Sequence, residues 1–283
     1  MASFTNFATL SYNGGTTNSN IVTGEILEAL TAVKTAVSAN YSAGDRITYA
    51  LSLVNTGTAA ITDYTVTDNL GGYTVGANTV YPLAYNTGTV RYYINGVLQT
   101  APTVTAGPPL TVTGLTVPAG GNAVLIYETT ATPVAPLATG SSITNTATIT
   151  GGGLTNPITA QATVETATSA DLTISKALSP TTVTENGQIT YTFVISNTGN
   201  TEATATGNVV VTDTFAPILR NIAVTYNGTA WTEGTNYTYN AATGVFTTLA
   251  GQITVPAATF TQNTDGTFTV TPGTATLVIT GTV

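Results

Sequence analysis

One stretch of this sequence occurs twice, and its repetition limits the fold more than any other feature. Ala43 to Gly57 reads A-G-D-R-I-T-Y-A-L-S-L-V-N-T-G, and Glu185 to Gly199 reads E-N-G-Q-I-T-Y-T-F-V-I-S-N-T-G. Ile47, Tyr49, Leu51 and Leu53 in the first copy, and Ile189, Tyr191, Phe193 and Ile195 in the second, fall on every other position. That is the period of a strand with one buried face. More of the sequence repeats around this core. Tyr64 to Asp68 (Y-T-V-T-D) answers to Val209 to Asp213 (V-V-V-T-D), and the turn Tyr92-Tyr93-Ile94-Asn95-Gly96 to Tyr226-Asn227-Gly228. Val117-Pro118-Ala119 answers to Val255-Pro256-Ala257.

Short alternating strands punctuated by Asn-Gly turns, in a chain rich in Thr, Val, Ile and Tyr, imply an all-β protein. The repeat makes it a tandem of two immunoglobulin-like β-sandwiches. The expected limits are 26–166 for domain one and 167–283 for domain two, with 1–25 left as a separate N-terminal strand and linker.

The two copies end differently. After Asn122 to Thr132, copy one continues into I-T-N-T-A-T-I-T-G-G-G, from Ile143 to Gly153. Copy two reaches its matching strand at Ala275 to Val283, where the sequence ends, so domain two is expected to lack the last strand of the repeat. A segment like that strand stands at the front of the chain. F-T-N-F-A-T-L-S-Y-N-G-G, from Phe4 to Gly15, lines up with Ile143 to Gly153. Phe4, Ala8 and Leu10 match Ile143, Ala147 and Ile149, and Asn6 matches Asn145. The spacing to the next lysine is also similar, 28 residues from Asn6 to Lys34 and 31 from Asn145 to Lys176.

Lys34 and Lys176 are the only lysines, and both lie in phase with apolar neighbours: Leu30, Ala32 and Ala36 around one, Leu172, Ile174 and Leu178 around the other. A lysine aimed at a core is costly without a specific partner. Asp68 and Asp213 are in phase with the apolar residues of their own strands. Each copy therefore carries a lysine, an acid and an asparagine on inward positions: Lys34, Asp68 and Asn145 in domain one, Lys176, Asp213 and the displaced Asn6 for domain two. A plainer reading competes with this one. A lysine near a strand end can snorkel to water, an Asp can cap a turn, and an Asn can sit on an edge strand.

The trio resembles that of the self-crosslinking immunoglobulin-like domains of Gram-positive pili and adhesins, and the repeat, with N-T-G followed by V-T-D, is similar to the bacterial surface repeat called domain of unknown function eleven. The resemblance implies an isopeptide bond between lysine and asparagine, assisted by a buried acid. The chemistry suits these residue types. Burial lowers the pKa of an amine and raises that of a carboxylic acid, so both can be neutral together. The neutral amine is a nucleophile, the acid can polarise the amide and shuttle protons, and fixed contact removes most of the entropic barrier. Asp68 and Asp213 would be the autocatalytic acids, Lys34–Asn145 the bond within a molecule, and Lys176–Asn6 the bond between molecules.

An incomplete sandwich favours a donated strand, here Phe4, Asn6, Ala8 and Leu10 from an identical subunit. A donor at one end and an acceptor at the other give a head-to-tail homopolymer, closed into a ring or open as a filament, with the filament expected. Composition excludes other functions. The chain has no Cys or His and a net charge of −8 with five basic residues, so thiol chemistry and Cys/His metal sites are excluded and nucleic-acid binding is disfavoured. No apolar run reaches the roughly 18 residues of a membrane span. No cofactor and no enzymatic turnover on a substrate are expected. The start, Met1 to Phe4, shows neither the basic nor the apolar region of a signal peptide. The expected setting is extracellular, on a cell or spore surface; the alternative is a stretch of a long adhesin or stalk whose domains act as spacers.

Overall fold

The structure, a computed structural model, describes residues 2–26 and 29–283. The described chain is all-β, with 28 strands numbered in chain order and one helical turn at Ala205–Gly207.

The N-terminal segment is a hairpin. β1 (Ala2–Asn6) and β2 (Thr9–Tyr12) run out, and β3 (Gly15–Asn18) and β4 (Val22–Ile26) run back. Asn6 lies opposite Val22 and Leu10 opposite Thr17. Residues after Gly15, expected as a linker, thus form the return strands. Phe4, Phe7, Leu10, Tyr12, Ile21 and Val22 are each more than half exposed. A lone two-stranded hairpin in water is marginal, so this one carries apolar surface with little to show for it.

Domain one is a sandwich of two six-stranded sheets. The first contains β5 (Leu30–Ala36), β7 (Arg46–Asn55), β16 (Asn122–Ala131), β12 (Arg91–Ile94) and β13 (Val97–Leu98) in that order, with β11 (Leu83–Tyr85) also paired to β16. The second runs β14 (Thr103–Thr105), β15 (Leu110–Val117), β8 (Ile61–Asp68), β17 (Ser142–Gly151), β18 (Ile158–Thr166) and β6 (Asn40–Tyr41). A small hairpin, β9 (Tyr73–Val75) with β10 (Asn78–Val80), stands apart from both. The repeated alternation does what its period requires. Ile47, Tyr49, Leu51 and Leu53 on β7, and Ala123, Leu125 and Tyr127 on β16, are all buried, as are Ile143, Ala147 and Ile149 on β17.

Domain two repeats the first sheet and only part of the second. β19 (Leu172–Ser179), β20 (Gln188–Asn197), β28 (Gly273–Thr282), β22 (Arg220–Tyr226) and β23 (Thr229–Trp231) reproduce the order of β5, β7, β16, β12 and β13. The facing sheet has three strands, β21 (Thr212–Thr214), β25 (Val245–Thr248) and β24 (Tyr237–Asn240), with β21 at its edge. β26 (Thr259–Gln262) and β27 (Phe268–Thr271) form a separate hairpin. The core is filled by Ile189, Tyr191, Phe193 and Ile195 against Phe215, Phe246, Ile253 and Val255.

The repeated polar motifs are structural clips. Asn55 of the first N-T-G donates to Ala59 O at 2.8 Å and Pro118 O at 3.0 Å, and accepts from Gly57 N at 2.9 Å. Asn197 of the second donates to Thr201 O at 2.8 Å and Pro256 O at 3.0 Å, and accepts from Gly199 N at 2.9 Å. Each buried amide thereby ties N-T-G to the prolyl carbonyl of V-P-A. The turns Asn95-Gly96 and Asn227-Gly228 take positive φ at both residues, as a type I′ hairpin needs. Trp231 stacks on Tyr226 with centroids 4.8 Å apart at the margin of the domain-two core.

Candidate functional site

In domain one, Lys34 comes from the first sheet and Asp68 from the second, and they meet inside the sandwich. Lys34 Nζ donates to Asp68 Oδ2 at 2.6 Å, with both side chains at most 1% exposed. Two tyrosines enclose the pair. The ammonium lies 4.8 Å from the Tyr49 ring centroid and 5.8 Å from that of Tyr127. Tyr127 donates a short hydrogen bond to the same Asp68 oxygen, and Leu70 N donates to the other at 2.9 Å.

Asn145 reaches the same place from β17. Ala147 is paired with Asp68 across the β8–β17 ladder, and Asn145 stands two residues away on the same inward face. It is fully buried. Its amide interacts with the hydroxyls of Tyr49 and Tyr127, which partly offsets the rise that burial imposes on both phenols. Yet neither its oxygen nor its nitrogen completes a sound hydrogen bond. A buried carboxamide without partners is costly, so its presence at a lysine and an acid needs a reason.

The electrostatics suit a nucleophile. Burial pulls the Lys34 pKa down to about 8, against the opposing pull of Asp68. The proton of the pair has only the 2.6 Å between Nζ and Oδ2 to cross. Moving it converts the ion pair into a neutral amine and a neutral acid, the forms a transamidation needs.

Domain two has the same pair in a different setting. Lys176 Nζ donates to Asp213 Oδ2 at 2.5 Å, but its side chain is 39% exposed. Aromatic rings again lie beneath the ammonium, Tyr191 at 4.5 Å, Phe193 at 5.4 Å and Phe215 at 5.5 Å. The inward row of β19 is open to water: Ile174 is 55% exposed and Leu178 39%. The expected alternation is present, but among the described residues of domain two no strand covers this row. Asn6, the third member expected here, lies on the hairpin of its own chain, opposite Val22 and exposed. The four residues Phe4, Asn6, Ala8 and Leu10 are all exposed on that hairpin.

Lys34, Asp68 and Asn145, expected together from the sequence, do converge in the structure, and Tyr49 and Tyr127, which enclose them, were not singled out by the sequence reading. Their signal was available, because both are in phase with buried aliphatic residues and carry a hydroxyl into the core. In domain two Tyr191 takes the place of Tyr49, whereas Ile279, on β28, takes the place of Tyr127. Among the described residues no cluster of His, Cys, Asp and Glu could hold a metal ion, and no helix is long and apolar enough to cross a membrane.

No protein-family model matches the chain, and no curated protein matches it. The likeness to domain of unknown function eleven therefore rests on its short motifs alone. Structures similar to this chain include pilin and adhesin domains. The N-terminal domain of the Streptococcus gordonii adhesin Sgo0707 matches at 14% identity and a TM-score of 0.35, over 47% of this chain and 31% of its own. BcpA, the major pilin subunit of Bacillus cereus, matches at 14% identity and a TM-score of 0.36, over 96% of this chain and 73% of its own. The pilus backbone RrgB of Streptococcus pneumoniae matches at 14% identity and a TM-score of 0.36, over 86% of this chain and 55% of its own.

Proposed function

We propose that the chain is a structural subunit of an extracellular fibre, joined head-to-tail by strand donation and locked by lysine–asparagine isopeptide bonds. One bond, Lys34–Asn145, closes domain one. The other joins Lys176 of one subunit to Asn6 of the next. The setting proposed is a cell or spore surface, and the chemistry is a single turnover on the protein itself.

The observation that carries this reading is the difference between two equivalent pairs. Lys34–Asp68 is sealed beneath β17 with Asn145, whose amide completes no sound hydrogen bond, in the same pocket, whereas Lys176–Asp213 is uncovered. A matching strand with a matching asparagine stands exposed at residues 4–10. Exposed apolar edges of this kind seek a strand, and a donor and an acceptor on different faces build a heterologous interface.

The reaction balances simply. The neutral amine of Lys34 attacks the Asn145 side-chain carbonyl carbon while Asp68 gives its proton to the carbonyl oxygen. The tetrahedral adduct collapses, the bond to Nδ2 breaks, and the nitrogen leaves as ammonia after taking the amine's proton through Asp68. An amide remains and the acid is regenerated, so each bond costs the protein one ammonia in mass.

Boiling assembled protein in SDS tests the proposal. A ladder of multimers, lost in Asn6→Ala and in Lys176→Ala, is the expected result. A single monomer band from protein that assembles would remove the intermolecular bond.

A further inference from the structure

We propose, building on the strand-donation reading above, that the donated element is the whole hairpin β1–β4 of a second copy, and that β4 as well as β1 enters domain two. Domain one shows what a complete second sheet requires. Beyond β8 lie two strands, β17 and β18, and β18 in turn holds β6. Ala162, opposite Asn145, and Val164, opposite Ile143, are buried on the inward face of β18. Glu165 N donates to Ala39 O at 2.9 Å, next to β6, and Tyr41 on β6 is fully buried.

Domain two is open at each of these places. β21, the counterpart of β8, is an edge strand. The counterpart of β6 is Thr182-Val183, which forms no strand, and Val183 is 37% exposed. A single donated strand would cover β21 and the row of Ile174 and Lys176. It would leave Val183 and the far side of the groove without a partner, and would present a new unpaired edge.

The N-terminal hairpin fits the two-strand gap. Its turn, at Tyr12 to Gly15, corresponds to that between β17 and β18. Val22 faces Asn6 as Ala162 faces Asn145, and Gly24 faces Phe4 as Val164 faces Ile143. Gly24 is also where the Phe4 ring lies; a methyl group there would come within 2.4 Å of it. Val22, 56% exposed in the free hairpin, becomes an inward residue of the completed sandwich. A hairpin also arrives with its inter-strand hydrogen bonds made, so less chain is ordered on binding than with a lone strand.

The test uses the full chain with an aspartate placed on either face of β4. Val22→Asp puts a charge on the inward face and Thr23→Asp puts it on the outward face; both residues are exposed in the subunit. Val22→Asp is expected to lower the yield of SDS-resistant multimers by about tenfold or more, and Thr23→Asp to leave it within about twofold. Retained loss of ammonia from domain one shows that each variant is folded. A wild-type ladder in both variants would overturn the two-strand donor while leaving strand donation through Asn6 intact. Equal losses in both would also overturn it, because the effect would not follow the inward face. Failure of the wild-type chain to assemble under native conditions would instead sink strand donation itself, and this inference with it.

Discussion

Lys34 and Asp68 approach to 2.6 Å from opposite sheets of domain one, both out of water, while Lys176 and Asp213 make the same contact at 2.5 Å in the open. One pair has its third partner on β17 of its own domain. The other has none among the described residues of domain two, and Asn6 is the candidate to supply it.

The buried pair fixes what removal of one member should do. Lys34→Ala leaves Asp68 with Tyr127 and Leu70 N alone, inside the sandwich. In unlinked protein breaking the buried pair costs about 3–5 kcal/mol; against the linked parent, where the amine has become an amide, the loss is that of a crosslink around a loop on the order of 100 residues, about 5 kcal/mol in the unfolded-state entropy model. Measured against the mass calculated from its own sequence, the parent should lack one ammonia for this bond and the variant should not, and the unfolding transition of domain one should fall sharply. The same deficit in the variant as in the parent would show that no bond forms between Lys34 and Asn145.

The shared proton predicts an inverted pH profile. The neutral amine–neutral acid arrangement holds as many protons as the ion pair, so its population does not change with pH while the pair keeps its proton. The pair loses it as pH rises through about 8, the depressed Lys34 value. Bond formation, followed by mass after chain synthesised and kept in urea is diluted into buffer, should therefore be level near neutrality and slow above pH 8. A rate climbing from pH 8 to 10 would mean that the acid acts without its proton. For unlinked protein the stability sign is the reverse: with the folded pKa below the unfolded 10.5, the unfolded chain binds more protons between those values, and stability rises with pH across that window.

Tyr127 should set the pace of closure in domain one. Burial and Asp68 hold its pKa well above the ordinary phenol value, so it remains a donor to the carboxyl at any working pH. Tyr127→Phe deletes one hydrogen bond to a charged group, worth about 1.5–3 kcal/mol, which holds Asp68 in its ionised form, and should speed ammonia loss by about tenfold or more without preventing folding. An unchanged rate, with the pH profile also unchanged, would reduce Tyr127 to packing. Ile279 at the equivalent place in domain two leaves Asp213 without such a donor.

The trio in domain one was legible because the strand period says which residues share a face, and the repeat says it twice. Tyr49 and Tyr127 were harder to see, since an aromatic residue in phase with aliphatic ones reads as packing until its hydroxyl is placed. The return strands of the hairpin were hidden for a different reason. G-T-T-N-S-N, from Gly15 to Asn20, has no apolar alternation and reads as loop; only pairing with β2 makes a strand of it. The open row of β19 follows from the missing last strand and not from the alternation, because period two reports which face is inward and not whether a second sheet covers it.

The N-T-G asparagines should matter for stability and not for crosslinking. Asn55→Ala strands the Ala59 and Pro118 carbonyls and the Gly57 amide, at a cost of about 2–3 kcal/mol, and Asn197→Ala should do the same to domain two. Thermal unfolding would show the loss while the mass deficit of domain one persists. Loss of the deficit in Asn55→Ala would mean that the clip also positions the reacting groups.

Exposure of Lys176 offers a direct record of assembly. In the free subunit its side chain is 39% exposed, whereas Lys34 is sealed. An amine-reactive reagent should thus label Lys176 and the N-terminus of monomers kept dilute, and spare Lys34. In assembled protein Lys176 should be protected twice over, by the covering hairpin and by conversion of the amine to an amide. Asn6→Ala separates the two effects: subunits would still dock, giving protection that urea reverses, whereas protection in the parent should survive urea. Labelling of Lys176 in fibres to the same extent as in monomers would place the junction elsewhere on the subunit.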